Sequence, residues 1–168
     1  SATLEASSQV ETYSDYLSDD LPAGMNIRTL DAWEFEGPTL ISYLESIQGH
    51  IEQGITHGEF PILLGGEHGL LLPALKACVA GGVLESMNDL TLVQIDAHAD
   101  LRDELNGERF SHGTVVRRCL DEGLSRAIQI GIRAYSSDEA SMIKSDDRIM
   151  AWRAREIQED GQTVLSIL

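Results

Sequence analysis

A chain of 168 residues suits one domain with its own hydrophobic core. The formal net charge is −16, and the 12 basic residues include only the lysines Lys76 and Lys144. Such a surface repels nucleic-acid phosphates and anionic lipids, and it attracts small cations. No apolar run is long enough to span a bilayer, and no charged-then-apolar leader opens the chain. We therefore expect no nucleic-acid partner and no membrane partner. The acidic charge fits a small cationic substrate, and it fits equally a surface that serves solubility alone.

Cysteine usage indicates a reducing compartment. Cys78 and Cys119 both fall within predicted helices and share no motif spacing. The simplest interpretation is two small buried side chains with free thiols. Together with the acidic composition, this interpretation predicts a soluble protein of the cytoplasm.

The N-terminal part of the chain gives weak structural signals. Residues 1–24 are polar, so we expect a poorly ordered segment there, with a turn at Leu21–Gly24. A first strand is predicted over Met25–Trp33. Ile27 and Leu30 are its candidates for the core.

An amphipathic helix is predicted from Leu40 to about Thr56. Pro38 precedes it, and proline fits the first turn of a helix. Apolar residues then recur at helical spacing, which favours one face packed on the core. His50 lies on the polar face and His57 follows the helix, so we interpret both as surface residues rather than ligands.

The rest of the chain alternates apolar runs of strand length with helical patterns, which predicts a parallel sheet covered on both faces. The run at Leu90–Ile95 is rich in Leu, Val and Ile, as is typical of a strand buried on both faces. We expect an α/β domain over residues 25–168. The predicted strands are Pro61–Gly66, Leu90–Ile95, Ala127–Arg133 and Gln162–Leu168, and the predicted helices are Leu70–Ala80, Val115–Glu122, one that begins near Ser136, and Met150–Glu159.

The strongest chemical signal directly follows the Leu90–Ile95 strand. Asp96, His98 and Asp100 alternate there, so they point the same way if the extended conformation continues. Two carboxylates and an imidazole repel one another and lose hydration unless a positive charge lies between them. A divalent cation is the simplest such charge, and a solvated acidic loop is the alternative. His68 follows the glycines that end another predicted strand, at the same edge of the sheet, and is a fourth candidate ligand.

Imidazole mixed with carboxylate suits Mn²⁺, Zn²⁺ or Fe²⁺, and a set dominated by carboxylates favours Mn²⁺. Four candidate ligands with an aspartate able to bridge indicate a two-metal site and metal-assisted hydrolysis. Two-metal phosphoesterases also begin with Asp-x-His, but they require Gly-Asp and Gly-Asn-His clusters that this sequence lacks. His112, at the start of a predicted helix, is a candidate to carry protons near neutral pH.

Four motifs, in this order and spacing, resemble the ureohydrolase (arginase/agmatinase) family. The resemblance implies a three-layer α/β/α sandwich with a mainly parallel sheet, from about Met25 onward, assembled as trimers or hexamers. The stretch that follows His98 looks more like agmatinases than arginases. The motifs are Leu64-Gly65-Gly66-Glu67-His68, Asp96-Ala97-His98-Ala99-Asp100, Ser111-His112-Gly113-Thr114 and Gly131-Ile132-Arg133.

The resemblance also implies a role for each candidate ligand. His68 and Asp100 would bind one Mn²⁺, His98 would bind the other, and Asp96 would bridge both. The implied reaction is hydrolysis of a guanidinium group to urea and an amine. Agmatine, which gives putrescine for polyamine biosynthesis, is the first substrate expected, and arginine or guanidinobutyrate are the alternatives.

Three residues are expected at the substrate. His112 matches the family histidine that passes a proton to the leaving amine, a general-acid role. It is also expected to contact the substrate, together with Arg102 and Asn106 of the loop that follows the aspartates. Catalysis is therefore assigned to His112 and to the bridging Asp96.

The chain departs from the family pattern in places that bear on activity. The family continues with a Ser-x-Asp-x-Asp-x-x-Asp-Pro motif, whose first two aspartates complete the metal pair, and Leu168 stands where the first would be. Glu67 replaces the commoner Asp, and Gly69 replaces Ser. A chain that covers the middle half of a family member is expected to bind Mn²⁺ weakly and to hydrolyse guanidines poorly. The alternative is a non-catalytic paralogue that acts as a metal-binding or oligomer-regulating subunit.

Overall fold

The computed structural model describes residues 5–6, 11–20, 26–35, 37–161 and 163–167. The chain divides into two units, Ser1–Glu34 and Phe35–Leu168. In the first unit, β1 (Tyr13–Ser14) pairs in antiparallel fashion with β2 (Asp19–Asp20). The turn predicted at Leu21–Gly24 lies outside the described residues.

The strand predicted over Met25–Trp33 is wrong for the part that the structure describes. Residues 26–33 adopt no regular structure, and Ile27 and Leu30 are exposed rather than buried. An extended segment becomes a strand only when a neighbour takes its N–H and C=O groups. No described strand pairs with these residues, and Met25 itself lies outside the described part.

The second unit begins with helix α1 (Leu40–Thr56), as predicted. Thr39 caps its amino end by accepting a hydrogen bond from the Ser42 N–H at 3.1 Å. The helix packs its apolar face against helix α2 (Leu71–Ala80), where Ala77 is fully buried. The residues buried on the α1 side are Leu44, Ile47, Ile51 and Ile55.

Three parallel strands form the sheet of the second unit, in the order β3 (Thr91–Ile95), β4 (Arg126–Ile132) and β5 (Ile149–Arg153). Helix α3 (Val115–Asp121) connects β3 to β4, and helix α4 (Ser137–Ser145) connects β4 to β5. The α/β class is confirmed. None of the described helices is long and apolar enough to cross a membrane.

The main core lies on one side of this sheet. Leu92 and Ala127, neighbours in register on β3 and β4, pack with apolar side chains of α2, α3 and α4. Side chains alternate along a strand, so Val93 and Ile95 point to the opposite side, where they are 43% and 71% exposed. The prediction of a strand buried on both faces is therefore wrong for β3, because the helices gather on the side of Leu92.

Three other sequence predictions fail where tertiary pairing decides the outcome. The strand predicted over Pro61–Gly66 is irregular, with Ile62 73% exposed, because no described strand pairs with it. The helix predicted over Met150–Glu159 is half strand: β5 pairs with β4 in register, and helix α5 (Ala154–Asp160) begins only after it.

The C-terminal strand predicted over Gln162–Leu168 is also wrong. Val164–Ile167 forms a short helix, α6, while Gln162 and Leu168 lie outside the described residues. A reciprocal pair of hydrogen bonds favours this helical turn: the Thr163 N–H donates to Ser166 Oγ at 3.0 Å, and the Ser166 N–H donates to Thr163 Oγ1 at 3.3 Å.

Candidate metal centre

Three of the four predicted ligands meet at one point of the structure. His68, Asp96 and Asp100 each offer one ligand atom, and these atoms all lie within 4.8 Å of one another. The Nδ1 atom of His68 is 2.8 Å from Asp100 Oδ2 and 3.6 Å from Asp96 Oδ2. The group lies at the carboxyl end of β3, the edge where open α/β sheets bind ligands.

A glycine pair brings His68 to this edge. Gly65 and Gly66 have φ angles of +88° and +83°, a backbone conformation that residues with a Cβ rarely adopt. The chain then enters a single 3₁₀ turn, His68–Leu70, which runs directly into α2. The tight turn predicted from the sequence is present, although the strand before it is not.

Asp100 reaches the group by a route that the alternation did not predict. Its φ angle is +54°, so the extended conformation does not continue through it. Its backbone carbonyl accepts hydrogen bonds from the N–H groups of Val116 and Arg117, at 3.1 and 3.2 Å. The first turn of α3 therefore holds Asp100 in a buried left-handed conformation, with its carboxylate directed at His68.

His98 stands beside the three-residue group rather than within it. Its side chain is largely exposed, and its Nδ1 lies 3.4 Å from Asp96 Oδ1. Its backbone N–H also donates to Asp96 Oδ1, at 2.9 Å. The two carboxylate oxygens of Asp96 thus face different histidines, Oδ2 toward His68 and Oδ1 toward His98.

A bulge in β4 supports the loop that carries Asp96 and His98. Gly131 has φ +90°, and the register with β5 shifts across it. Ile130 accepts a hydrogen bond from the Asp96 N–H at 3.1 Å, and the N–H of Arg133 donates to Ala97 O at 2.9 Å. A Cβ atom at position 131 would lie 3.3 Å from Asp96 O. The Gly131-Ile132-Arg133 motif therefore shapes the candidate metal centre through its backbone.

The electrostatics of the group favour positive charge. The hydrogen bond with Asp100 raises the pKa of His68; burial opposes this, and the charges of Asp100, Asp96 and Glu67 add to it. Burial raises the pKa of Asp96, but hydrogen bonds from the His98 N–H and the Gln94 amide outweigh burial and leave that pKa below its ordinary range. One nitrogen and several carboxylate oxygens at this spacing fit a divalent cation, which would displace the proton shared with His68.

His112 lies next to this group, joined to Glu67. The Nδ1 atom of His112 is hydrogen-bonded to Glu67 Oε1 at 3.0 Å, and Glu67 Oε2 accepts from the Gly69 N–H at 2.8 Å. Glu67 therefore ties the loop before α3 to the turn that carries His68. This role of Glu67 was not predicted from the sequence, where the residue stood out only as a replacement for Asp.

The two other predicted substrate residues lie on the loop between Asp100 and α3. Arg102 is partly exposed, with its Nε atom 3.7 Å from the buried Glu139 carboxylate. Asn106 has φ +54° and forms a tight turn with Gly107 between the bridge partners Leu105 and Glu108. No hydrogen bond or ion pair among the described residues joins Arg102 or Asn106 to His68, Asp96 or Asp100.

Two functional candidates were missed by the sequence analysis, namely the buried glutamines Gln94 and Gln129. The Gln94 amide Nε2 lies 3.1 Å from Asp100 Oδ2 and 3.3 Å from Asp96 Oδ2. The available signal was a lone amide within each of two otherwise apolar strands. A buried amide in such a run requires hydrogen-bond partners, and here the partners belong to the site.

A parallel sheet whose carboxyl edge carries a histidine and two aspartates defines an α/β protein with a candidate metal site. The sequence profile of the arginase family matches residues 1–167, and the chain belongs to that family. The resemblance carried by the four motifs is thereby confirmed, as is the arginase-like fold class.

Among individual relatives, the chain is 32% identical over 163 residues to an N(1)-aminopropylagmatine ureohydrolase from Synechocystis sp., covering 95% of this chain and 51% of the relative. It is 37% identical over 105 residues to a guanidinobutyrase from Pseudomonas aeruginosa, covering 60% and 31%. The solved structure of an agmatine ureohydrolase from Thermoplasma volcanium is similar with a TM-score of 0.70 and 28% identity, covering 94% and 50%. The chain thus spans about half the length of these relatives or less.

Proposed function

We propose that this chain takes part in Mn²⁺-dependent hydrolysis of a guanidino compound, with agmatine, which gives putrescine and urea, as the first candidate substrate. The observation that carries the proposal is the group of His68, Asp96 and Asp100 at the carboxyl end of β3. The family of the chain and the names of two relatives, which act on agmatine or a derivative of it, support the substrate class. A net charge of −16 suits a cationic substrate.

In this proposal, His68 and Asp100 would hold one Mn²⁺, His98 would hold a second, and Asp96 would serve as a ligand of both. The separate orientation of the two Asp96 oxygens toward the two histidines supports this assignment. Divalent cations bound there would lower the pKa of coordinated water from about 15.7 to near 7 and so supply a nucleophile at neutral pH.

His112 is proposed to deliver a proton to the leaving amine. Its Nδ1 is engaged by Glu67, which leaves Nε2 as the nitrogen available for proton exchange, and the ring is largely exposed to solvent. Arg102 and Asn106 are proposed substrate contacts, supported by their exposure on the loop after Asp100.

Residues 25–168 are proposed as the ureohydrolase part of the chain, with 1–24 as a separate segment. The division between the two structural units falls nearby, after Glu34. A homo-oligomer, trimeric or hexameric, is proposed on the basis of the family alone. A cytoplasmic location is supported by the free thiols of Cys78 and Cys119.

A metal-binding subunit without turnover is the second candidate function. The group of ligand atoms within 4.8 Å has three members, and His98 stands outside it. The chain also spans only about half the length of its Synechocystis relative, so the residues described here need not be the full ligand set of a catalytic site. For a catalytic chain, guanidinobutyrate is the main alternative substrate, since a guanidinobutyrase is among the relatives; arginine is another.

The test combines metal stoichiometry and product formation in one sample. The purified chain is loaded with Mn²⁺ and dialysed, the bound metal is counted, and urea release is measured from agmatine, arginine and 4-guanidinobutyrate. Bound Mn²⁺ with urea released fastest from agmatine is the expected result, and Asp96→Asn should abolish both. Bound Mn²⁺ without urea would favour the subunit function. Urea release that persists after chelation would overturn the metal-dependent mechanism.

A further inference from the structure

Two buried glutamines face each other across β3 and β4, beside the candidate metal ligands. Gln94 and Gln129 are register partners in the parallel pair, and they are 5% and 0% exposed. Burial of an amide lowers stability unless its hydrogen bonds are made, so a pair of amides in a sheet core requires compensating contacts. Both amide nitrogens and Gln94 Oε1 make such contacts, which connect the core to the site, while Gln129 Oε1 has no hydrogen-bond partner among the described residues.

The network fixes which way each amide points. The Gln129 Nε2 atom lies 2.7 Å from the backbone oxygen of Ala99 and 2.6 Å from Gln94 Oε1. A backbone oxygen only accepts, so Gln129 must present its nitrogen there, and Gln94 must turn its oxygen toward that nitrogen. The donor end of Gln94 consequently faces away from Gln129.

The donor end of Gln94 meets the two candidate carboxylates. Its Nε2 atom lies 3.1 Å from Asp100 Oδ2 and 3.3 Å from Asp96 Oδ2, and 3.3 Å from the His98 backbone oxygen. His68 Nδ1 approaches the same two carboxylate oxygens, Asp100 Oδ2 and Asp96 Oδ2. One amide nitrogen therefore spans two acidic groups that would otherwise repel each other.

A neutral donor is well suited to this position. A lysine or arginine here would supply the positive charge that the carboxylates need and so would compete with a cation. An apolar side chain would leave both carboxylates without the donor that orients them. An amide orients the oxygens and leaves their negative charge for the metal, as partners of metal-binding carboxylates generally do.

We propose that Gln94 is a positioning residue of the metal centre. Its amide holds Asp96 and Asp100 side by side for a divalent cation, and Gln129 sets the direction of that amide. The inference rests on the metal-binding part of the proposed function and is independent of turnover.

The experiment measures Mn²⁺ affinity by electron paramagnetic resonance of the free ion during titration. Gln94→Met keeps the length of the side chain and removes its donor, and it should weaken Mn²⁺ binding about 10–100-fold. Gln129→Met should give a smaller loss. The double variant should bind no more weakly than Gln94→Met alone, because both changes remove one shared contribution. Thr91→Val, an exposed position on the same strand, is the matched control and should leave the affinity unchanged.

Thermal unfolding of the metal-free proteins checks that each variant folds. Unchanged Mn²⁺ affinity in a folded Gln94→Met, or losses that add up in the double variant, would overturn the inference. If Gln94→Met does not fold, the Mn²⁺ affinity of Gln129→Met tests the inference instead. An unchanged affinity in that variant would also overturn it. Absence of Mn²⁺ binding by the unaltered chain would also overturn it. Urea release is followed separately, so a chain that binds Mn²⁺ without turnover refutes hydrolysis and leaves the role of Gln94 standing.

Discussion

His68 and Asp100 are 32 residues apart in the chain, yet His68 Nδ1 and Asp100 Oδ2 lie 2.8 Å apart. Two different local structures make this contact. The glycine turn before α2 delivers the histidine, and the first turn of α3 holds the aspartate. The site thus depends on the mutual packing of α2 and α3 as much as on the ligands themselves.

Replacement of Asp100 by asparagine should weaken Mn²⁺ binding strongly. Loss of a partner behind a ligand typically costs about 10–100-fold in metal affinity, and loss of a charged ligand should exceed that range. Isothermal titration with Mn²⁺ measures the change. Glu104→Gln, an exposed carboxylate on the following loop, is the control and should have no effect. An Asp100→Asn variant that binds Mn²⁺ as tightly as the control would remove Asp100 from the ligand set.

Gly131→Ala should destabilise the fold by about 1–2 kcal/mol, since a positive φ is unfavourable for a residue with a Cβ. The new Cβ would also lie 3.3 Å from Asp96 O, so the loop must shift slightly. Gly49→Ala is the matched control. Gly49 lies within α1 with no atom near its Cβ position, so this change should instead raise the free energy of unfolding by about 0.5–1 kcal/mol. Urea denaturation measures both, and equal effects would contradict the assigned bulge.

The pair of Asp146 and Arg148 should make stability depend on acidic pH. Hydrogen bonds from the Arg148 side chain are the main cause that lowers the pKa of Asp146, and burial opposes them. Because the pKa of Asp146 is lower in the folded state, its ionised carboxylate stabilises the fold at pH values above the ordinary aspartate pKa of about 3.9. This stabilisation is lost as the pH falls through the lowered folded-state pKa.

Asp146→Asn should therefore have a lower free energy of unfolding than the unaltered chain at pH 7. This difference in free energy should become smaller by pH 3. Chemical denaturation at the two pH values measures it. The neighbouring exposed Asp147→Asn serves as the control. A gap that widens on acidification would show that the sign of the linkage is opposite.

The two cysteines should differ in reactivity toward iodoacetamide. Burial is the main cause that raises the pKa of Cys119 to about 12, and the charge of Glu122 adds to it. Alkylation requires the thiolate and access to it. At pH 8 the native protein should be modified at the partly buried Cys78 and not at Cys119, whereas both should react in urea. Mass spectrometry of the peptides reads the result, and equal labelling in the native state would contradict the burial of Cys119.

Local signals in the sequence predicted much of the fold, because they act within a few residues. The spacing of apolar residues correctly predicted α1, and the glycine pair before His68 correctly predicted a tight turn. The strand predictions failed for the same reason at Pro61–Gly66 and Gln162–Leu168. An apolar run becomes a strand only where another strand is available to pair with it. That condition is set by the rest of the chain.

The same distinction applies to the candidate site. The ligand types and their meeting at one edge could be predicted from motifs, while the contacts that orient them could not. Glu67 reaches His112 across 45 residues, and Gln129 reaches Gln94 across 35. Such pairs arise from register and packing. A lone glutamine in an apolar strand indicates that a partner is needed, but no local pattern identifies which residue that partner is.

Two requirements limit which amino acid can occupy position 100: the left-handed backbone conformation and the chemistry of the candidate site. The conformation suits glycine, asparagine and aspartate, and the chemistry suits a short carboxylate. Aspartate alone satisfies both requirements: asparagine and glycine fit the backbone without the charge, and glutamate has the charge with a longer side chain and a less tolerant backbone. In a directed evolution of the candidate centre toward another metal, we therefore expect accepted substitutions at His68 and His98, while position 100 should remain aspartate.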